Sequence, residues 1–240
     1  MQKAGTAWYF NWTNDMLVAA GLDDVRAIRS RFHLERFMTE ANCNIGTPTL
    51  RKLVPVSVPS IFGKSYVLKT HEGPTPSVTV MLKAGVLKAT YICRDPRDVV
   101  VSVYDHGERL RKANAVSATG FDRLDTYDLA IDFVAERLLI WRAWADQSRA
   151  LIVRYEQLTE DPLGECRRLA QHLGLELGEG ALAQIVNRYS SERASVDKAP
   201  HPLHFNKGIV GRWRGVLSST HAQLCEVRFE PYLTAMGYQS

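Results

Sequence analysis

Two short apolar runs, each followed by an Asp-Pro pair, constrain the fold of this chain more than any other feature. Residues 89–93 (ATYIC) and residues 150–153 (ALIV) have the length and composition of buried strands. In Asp95-Pro96 and Asp161-Pro162 the aspartate can cap a helix, and the proline fits its first turn. Strands that alternate with helices favour an α/β fold with a mostly parallel sheet covered by helices.

The rest of the pattern fits this fold. Residues 65–69 indicate a further short strand. Helices are expected over 6–20 (closed by Gly21), from residue 96 to about 112, over 124–147, from 162 to the stop at Gly174, over 179–188 and over 220–236. Because 240 residues suit one α/β domain with a sizeable core, we expect residues 1–240 to form a single domain.

Composition narrows the classes of partner. The net charge of +4 suits a small anionic ligand and does not call for nucleic acid. The sequence has no run of eighteen apolar residues and no apolar signal core at its start, so we expect no membrane partner. The four cysteines are far apart and form no CxxC pair, which is typical of buried thiols in the cytoplasm.

A segment with phosphate-binding character precedes the first helix at residues 3–8 (KAGTAW). Gly5 allows the backbone to approach a phosphate closely, and the amides at the start of a helix favour an anion. Lys3 adds a positive charge. The segment is not the nucleoside-triphosphatase loop, because the second glycine and the Lys-Ser/Thr pair are absent. The alternative is a terminal tail that leads into a helix.

Three other groups could carry chemistry. Arg94 follows a predicted strand, and Ser102 lies on the same helical stripe as Asp95 and Val99. Arg94 and Ser102 could therefore hold a phosphate. The alternative is a capped helix with a surface arginine. His71, two residues after Lys69, could accept a hydroxyl proton or be a structural histidine. Residues 206–214 (NKGIVGRWR) could close over an anion or form a basic surface loop.

Taken in order, these groups resemble the motifs of the cytosolic-type sulfotransferase family, which uses 3′-phosphoadenosine 5′-phosphosulfate (PAPS). Residues 2–8 resemble its phosphate loop, and Lys69-Thr70-His71 resembles its Lys-Thr-His strand end. Residues 94–98 with Ser102, residues 155–162 and residues 206–213 resemble its later motifs. The resemblance extends from residue 2 to about 236. It implies a P-loop-like three-layer sandwich.

The resemblance also implies residue roles. His71 would be the general base, with Lys3 and Lys69 beside the transferring group. The sets that would bind PAPS are, for the 5′-phosphosulfate, Lys3, Ala4, Gly5, Thr6 and Ala7; for the adenine, Trp8 and Tyr155; and for the 3′-phosphate, Arg94, Ser102, Asn206, Lys207 and Gly208. Trp8 could instead be core, and Tyr155 could cap a strand end.

The implied activity is transfer of a sulfuryl group from PAPS to the hydroxyl or amine of a small-molecule acceptor, releasing adenosine 3′,5′-bisphosphate (PAP). No metal is expected, because lysines supply the positive charge and the sequence has no clear cluster of metal ligands. A kinase-like phosphotransferase is the less favoured enzyme class, since its Lys-Ser/Thr pair is absent.

Several departures from the family pattern favour another alternative, a nucleotide-binding relative that does not catalyse. Ala4 and Ala7 replace hydroxyl residues, and Asn206 replaces an arginine. The family has a buried strand before its phosphate loop, whereas this sequence starts two residues before Lys3. We therefore expect the sheet to lack that first strand and the chain to be of low stability.

Overall fold

The computed structural model describes residues 1–117, 119–194 and 208–238. The fold is α/β, with a parallel sheet flanked by helices. Within the described ranges the sheet has two neighbouring strands, β1 (Ala89–Cys93) and β2 (Ala150–Arg154). Both apolar runs therefore form strands, as the sequence predicts.

Helices make up most of the described chain. In chain order they are α1 (Thr6–Ala19), α2 (Val25–Arg31), α3 (Leu50–Ile61), α4 (Pro76–Lys83), α5 (Pro96–Lys112), α6 (Tyr127–Ala145), α7 (Tyr155–Glu160), α8 (Pro162–Leu173), α9 (Glu179–Ala194) and α10 (Ser219–Met236). Two short 3₁₀ turns lie at Phe121–Arg123 and Arg212–Gly215. Among these helices, none is both long and apolar enough to cross a membrane.

The predicted caps set the helix boundaries. The Asp95 carboxylate accepts a hydrogen bond from the Arg97 amide at 2.9 Å, which starts α5. Asp161 caps α8 in the same way through the Gly164 amide, and Gly174 ends that helix with a φ of 69°. Asp-Pro pairs and a terminal glycine were sufficient to place these helices because capping is a local effect.

Two parts of the sequence pattern were misleading. Residues 65–69 were expected to form a strand, but in the described chain they contribute a single bridge, between Lys69 and Asn44. That prediction is wrong because a strand needs a partner, which an apolar run does not reveal. The α3 helix was not predicted, since it contains Pro55 and Pro59, residues that usually interrupt a helix.

The chain divides into two compact units, each with its own packing. Unit 2 comprises Gly5–Ile92 and the segment from Ala143 through α9. In its core Trp12 of α1 stacks on Tyr189 of α9, with ring centroids 5.6 Å apart, and donates a hydrogen bond to the Cys166 thiol of α8. The Arg168 guanidinium of α8 reaches the Ile152 carbonyl of β2 at 3.0 Å. The sheet, α1, α8 and α9 thus enclose one core.

Unit 1 comprises Met1–Ala4, Cys93–Arg142 and the described residues from Gly208 onward. Its central element is α5, which buries four valines of its first half, Val99, Val100, Val101 and Val103. Further along the helix, Arg111 donates hydrogen bonds to the carbonyl oxygens of Asp122 and Leu124. These hydrogen bonds hold the segment around Asp122 and Leu124 against the end of α5.

Candidate active site

Lys3 is a partly buried cation in unit 1. Its backbone has a left-handed φ of 62°, and its Nζ lies 6.0 Å from the centre of the Phe121 ring. Burial, and then the nearby positive charge of Arg109, lower its pKa to about 8, while the Asp105 carboxylate opposes the shift. The ammonium group is therefore mostly protonated at neutral pH and can be neutralised by a modest rise in pH.

Gly5 forms the turn that starts α1 in unit 2. Its φ is 78°, and its carbonyl accepts the first helical hydrogen bond, from the Tyr9 amide at 3.0 Å. A Cβ at this position would lie 2.9 Å from two carbons of the Tyr155 ring, so only glycine fits without a shift of its neighbours. As the N-cap residue, Gly5 has no side chain to cap α1, which leaves the first amides of the helix as possible donors to an anion.

The other residues of the N-terminal segment differ in exposure. Thr6, the first residue of α1, is partly exposed. Ala4 and Ala7 are buried, and the alanine side chains add apolar contact at positions where the family has hydroxyl groups. Contributions from Ala4 and Ala7 to anion binding would therefore have to come from their backbone amides.

Trp8 and Tyr155 belong to the core of unit 2. Each is 2% exposed, and their rings meet edge to face with centroids 6.0 Å apart. Trp8 makes a second edge-to-face contact with Trp12 at 5.1 Å. Their packing supports the core interpretation of Trp8, and contact of either ring with adenine stays a prediction.

Lys69 is a buried cation in unit 2. The residue is 8% exposed, its Nζ lies 5.8 Å from the centre of the Phe10 ring, and burial lowers its pKa to about 8. Its carbonyl accepts a hydrogen bond from the Ile45 amide at 2.9 Å. A buried ammonium lowers stability unless something compensates its charge, so an anionic ligand beside it would be favoured.

His71 lies on a segment that is fixed on both sides. Before it, the Thr70 hydroxyl donates to the Gly46 carbonyl at 2.7 Å. After it, the Glu72 carbonyl accepts a hydrogen bond from the Trp144 indole at 3.0 Å. The His71 side chain is half-buried. The backbone around His71 is thus held by contacts on both sides.

Arg94 is buried in unit 1 rather than lying on the surface. It is 8% exposed, and its guanidinium donates hydrogen bonds to the Asp98 carboxylate at 3.1 Å and to the Ile209 carbonyl at 2.6 Å. Gly208, the residue before Ile209, has a φ of 66°, and Ser102 is half-buried on α5. Two predicted site residues, Asn206 and Lys207, lie outside the described residues.

Asp98 is the residue that sequence reasoning missed. Besides the Arg94 guanidinium, its carboxylate accepts hydrogen bonds from the Gly211 amide at 2.7 Å and the Trp213 amide at 3.0 Å. Asp98 closes the motif of residues 94–98, but the resemblance implied no role for it, and an acidic residue four positions after Arg94 is also typical of an ordinary helical ion pair. Its other partners lie more than a hundred residues away.

The predicted site residues divide between the two units. Unit 1 holds Lys3, Ala4, Arg94, Ser102 and Gly208, and unit 2 holds Gly5, Thr6, Ala7, Trp8, Lys69, His71 and Tyr155. Across the described ranges, no group of three or more His, Cys, Asp or Glu side chains is placed to hold a metal ion. The cations of the first set are Lys3 and Arg94, and the cation of the second is Lys69.

Comparison with known proteins finds similarity to one family along almost the whole chain. The sequence profile of the sulfotransferase domain matches residues 1–237. The luciferin sulfotransferase of Photinus pyralis is 27% identical over 221 residues, which cover 82% of this chain and 55% of that protein. Cytosolic sulfotransferase 17 of Arabidopsis thaliana is 30% identical over 187 residues, covering 67% and 53%. The chain thus spans about half the length of these curated relatives.

A solved structure supports the fold. Retinol dehydratase, crystallised with androsterone and the inactive cofactor PAP, superposes with a TM-score of 0.57 at 16% identity, covering 97% of this chain and 78% of that one. At this identity the match concerns the fold, which is P-loop-like. With the family profile covering residues 1–237, the chain belongs to the sulfotransferase domain family.

Proposed function

We propose that this protein transfers a sulfuryl group from PAPS to the hydroxyl or amine of a small-molecule acceptor. The observation that carries the proposal is Lys69, a buried ammonium group whose pKa is lowered to about 8 by burial, two residues from His71. A cation held in a low-dielectric position strengthens any interaction with an anion that reaches it. Family membership supports the same chemistry.

The residues that would hold PAPS fit a ligand with phosphate and sulfate groups. Gly5 supplies the left-handed turn that starts α1 and has no side chain to cap the first amides of the helix, and the helix dipole favours an anion there. Arg94 is buried beside Ile209, and Gly208 precedes that residue. We assign the 5′-phosphosulfate to the segment from Lys3 to Ala7 and the 3′-phosphate to Arg94, Ser102 and Gly208, with Asn206 and Lys207 completing the second set.

When bound, PAPS supplies the sulfuryl group, and its bridging S–O bond breaks as a new bond forms between sulfur and the acceptor oxygen. His71 accepts the hydroxyl proton on a ring nitrogen. The protonated side chain of Lys3 stabilises the negative charge that develops on the leaving phosphate, and Lys69 neutralises the sulfuryl oxygens. The roles of Lys3 and Lys69 need the ammonium form, which a pKa of about 8 keeps mostly protonated at neutral pH.

The same residues leave one alternative open, a relative that binds the nucleotide without catalysing transfer. The buried side chains of Ala4 and Ala7 favour it, because they remove two hydroxyl donors from the phosphate segment. Retention of Lys3, Lys69 and His71 favours the enzyme, since a protein that only binds has no need of a base. We also place the protein in the cytoplasm, because one of its relatives is named a cytosolic sulfotransferase.

Release of PAP from PAPS tests the proposal directly. We expect PAP to accumulate only when an acceptor is present, across a panel of phenols, alcohols and amines, and to accumulate equally with a chelator added. Metal-independent turnover would also exclude the kinase-like alternative. A folded protein that binds PAP but releases none with any acceptor would instead support the non-catalytic relative.

The base is tested by His71→Ala. Removal of a general base typically lowers the rate about 10²–10⁴-fold, so turnover should fall by that factor while PAP affinity stays unchanged. His33→Asn is the matched control, because His33 is exposed and has a φ of 52°, which asparagine tolerates. Turnover of His71→Ala close to that of the control would reject His71 as the base.

A further inference from the structure

A short segment near the C-terminus is attached to α5 by side chains of that helix. We call this segment, Ile209–Trp213, the C-terminal strap. Two of its amides, those of Gly211 and Trp213, donate hydrogen bonds to the Asp98 carboxylate at 2.7 and 3.0 Å. At its start, the Ile209 carbonyl accepts a hydrogen bond from the Arg94 guanidinium at 2.6 Å. Both ends of the strap are therefore bound by two side chains, Arg94 just before α5 and Asp98 in its first turn.

The Asp98 carboxylate serves three donors at once. It is 2% exposed and accepts hydrogen bonds from the Arg94 guanidinium and the two strap amides. An ionised carboxylate has acceptors only, so it can satisfy all three donors, whereas an asparagine would turn two of its sites into donors. The convergence of two backbone amides also needs an unusual turn, which Gly211 provides with a φ of 73°.

Two side-chain contacts of the strap reinforce this attachment. The Arg212 guanidinium pairs with the Asp105 carboxylate, two turns further along α5. The Arg97 guanidinium lies 4.1 Å from the centre of the Trp213 ring and makes a bidentate bond to Asp95. The strap is thus attached to α5 at several side chains, and the buried Asp98 carboxylate binds two of its backbone amides.

We infer that Asp98 is a positioning residue for the 3′-phosphate of the nucleotide. It would act through two groups: the Arg94 guanidinium, which it orients directly, and the backbone at Gly208, whose neighbour Ile209 begins the strap. Asp98 does not itself contact the nucleotide, because its carboxylate is occupied by the three donors. This inference rests on the proposed function, which assigns Arg94 and Gly208 to the 3′-phosphate.

The binding test compares PAP with adenosine 5′-monophosphate (AMP), which differs only by lacking the 3′-phosphate. In Asp98→Asn the preference for PAP over AMP should fall about 10- to 100-fold, the range expected for loss of a charge-assisted hydrogen bond. AMP affinity should stay unchanged, which a general loss of folding would not allow. Glu108→Gln, at a partly exposed carboxylate on the same helix, is the matched control.

Hydrogen exchange tests the attachment without any nucleotide. The Gly211 and Trp213 amides should be protected in the unliganded protein, and Asp98→Asn should remove that protection while α5 remains protected. If Asp98→Asn does not fold, the unliganded wild-type protein decides: exchange of both amides at the rate of open loops would overturn the inference.

The two measurements separate the possible failures. Equal affinity of the wild-type protein for PAP and AMP would overturn the proposed function, and this inference with it. A wild-type preference for PAP that persists in Asp98→Asn would overturn the inference alone. Loss of both the PAP preference and the amide protection in Asp98→Asn supports it.

Discussion

At the scale of single residues, the chain has two lysines whose surroundings lower the pKa of the ammonium group. Burial lowers the pKa of Lys3 and of Lys69 to about 8, and each ammonium lies about 6 Å from the centre of an aromatic ring, Phe121 and Phe10 respectively. Keeping a buried ammonium group costs stability in the unliganded protein. If the nucleotide binds as proposed, its negative charges would offset this cost, and nucleotide binding would then be coupled to protonation of the two lysines.

We predict that the stability of the protein depends measurably on pH, because burial of the Lys69 ammonium group costs stability. Its pKa in the folded protein is about 8, below the ordinary value of 10.5, so between these two pH values the unfolded chain binds more protons. The free energy of unfolding of the wild-type protein should therefore rise relative to Lys69→Met as pH increases from 8 to 10.5, by up to about 3 kcal/mol.

Urea denaturation at several pH values measures this difference, with Lys112→Met, at an exposed lysine, as the control. Comparison with a variant is needed because burial raises the pKa of the tyrosines Tyr9 and Tyr66, which lowers stability at high pH in both proteins. A difference between wild type and Lys69→Met that does not change with pH would mean that the Lys69 ammonium is not desolvated.

At the scale of elements, the start of α1 depends on close packing against Tyr155, which follows β2. Gly5 and Gly21 lie at opposite ends of α1 and have the same φ of 78°. A Cβ at Gly5 would lie 2.9 Å from the Tyr155 ring, whereas a Cβ at Gly21 would meet nothing within 4 Å. A comparison of substitutions at the two glycines therefore separates the energetic cost of a strained backbone from the cost of crowding against Tyr155.

Alanine at each position measures the two terms. Gly21→Ala should lower the free energy of unfolding by about 1–2 kcal/mol, because a left-handed backbone is strained for alanine. Gly5→Ala should cost a further ~1–3 kcal/mol through contact with the Tyr155 ring. Thermal or urea denaturation checks this prediction, and equal losses in the two variants would show that Tyr155 does not crowd the start of α1.

An element could be predicted from the sequence where the residues that form it are close together along the chain. The α5 and α8 helices begin at Asp-Pro pairs and β1 and β2 are apolar runs, so each could be placed from a few neighbouring residues. Residues 65–69 needed knowledge of a strand partner, and α3 contains two prolines that the local pattern argues against. The strand prediction was wrong and α3 was missed for these reasons.

At the scale of the whole molecule, the order of the motifs along the chain predicted the family, which the match over residues 1–237 confirms. The order of motifs did not predict how the site is supported. Asp98 bonds the Gly211 amide across 113 positions, and Arg94 bonds the Ile209 carbonyl across 115. Contacts at this separation depend on the complete fold, so the sequence indicated Arg94 and not the carboxylate that holds it.

The central claim is that the chain binds a nucleotide that carries a 3′-phosphate as the donor of a sulfuryl group. Calorimetric titration of the wild-type protein with PAP, and with AMP as the control, tests it most directly. We expect PAP to bind at least tenfold more tightly than AMP, because Arg94 would add a charge-assisted hydrogen bond to the 3′-phosphate. Equal affinities, or no binding of PAP by the folded protein, would contradict it.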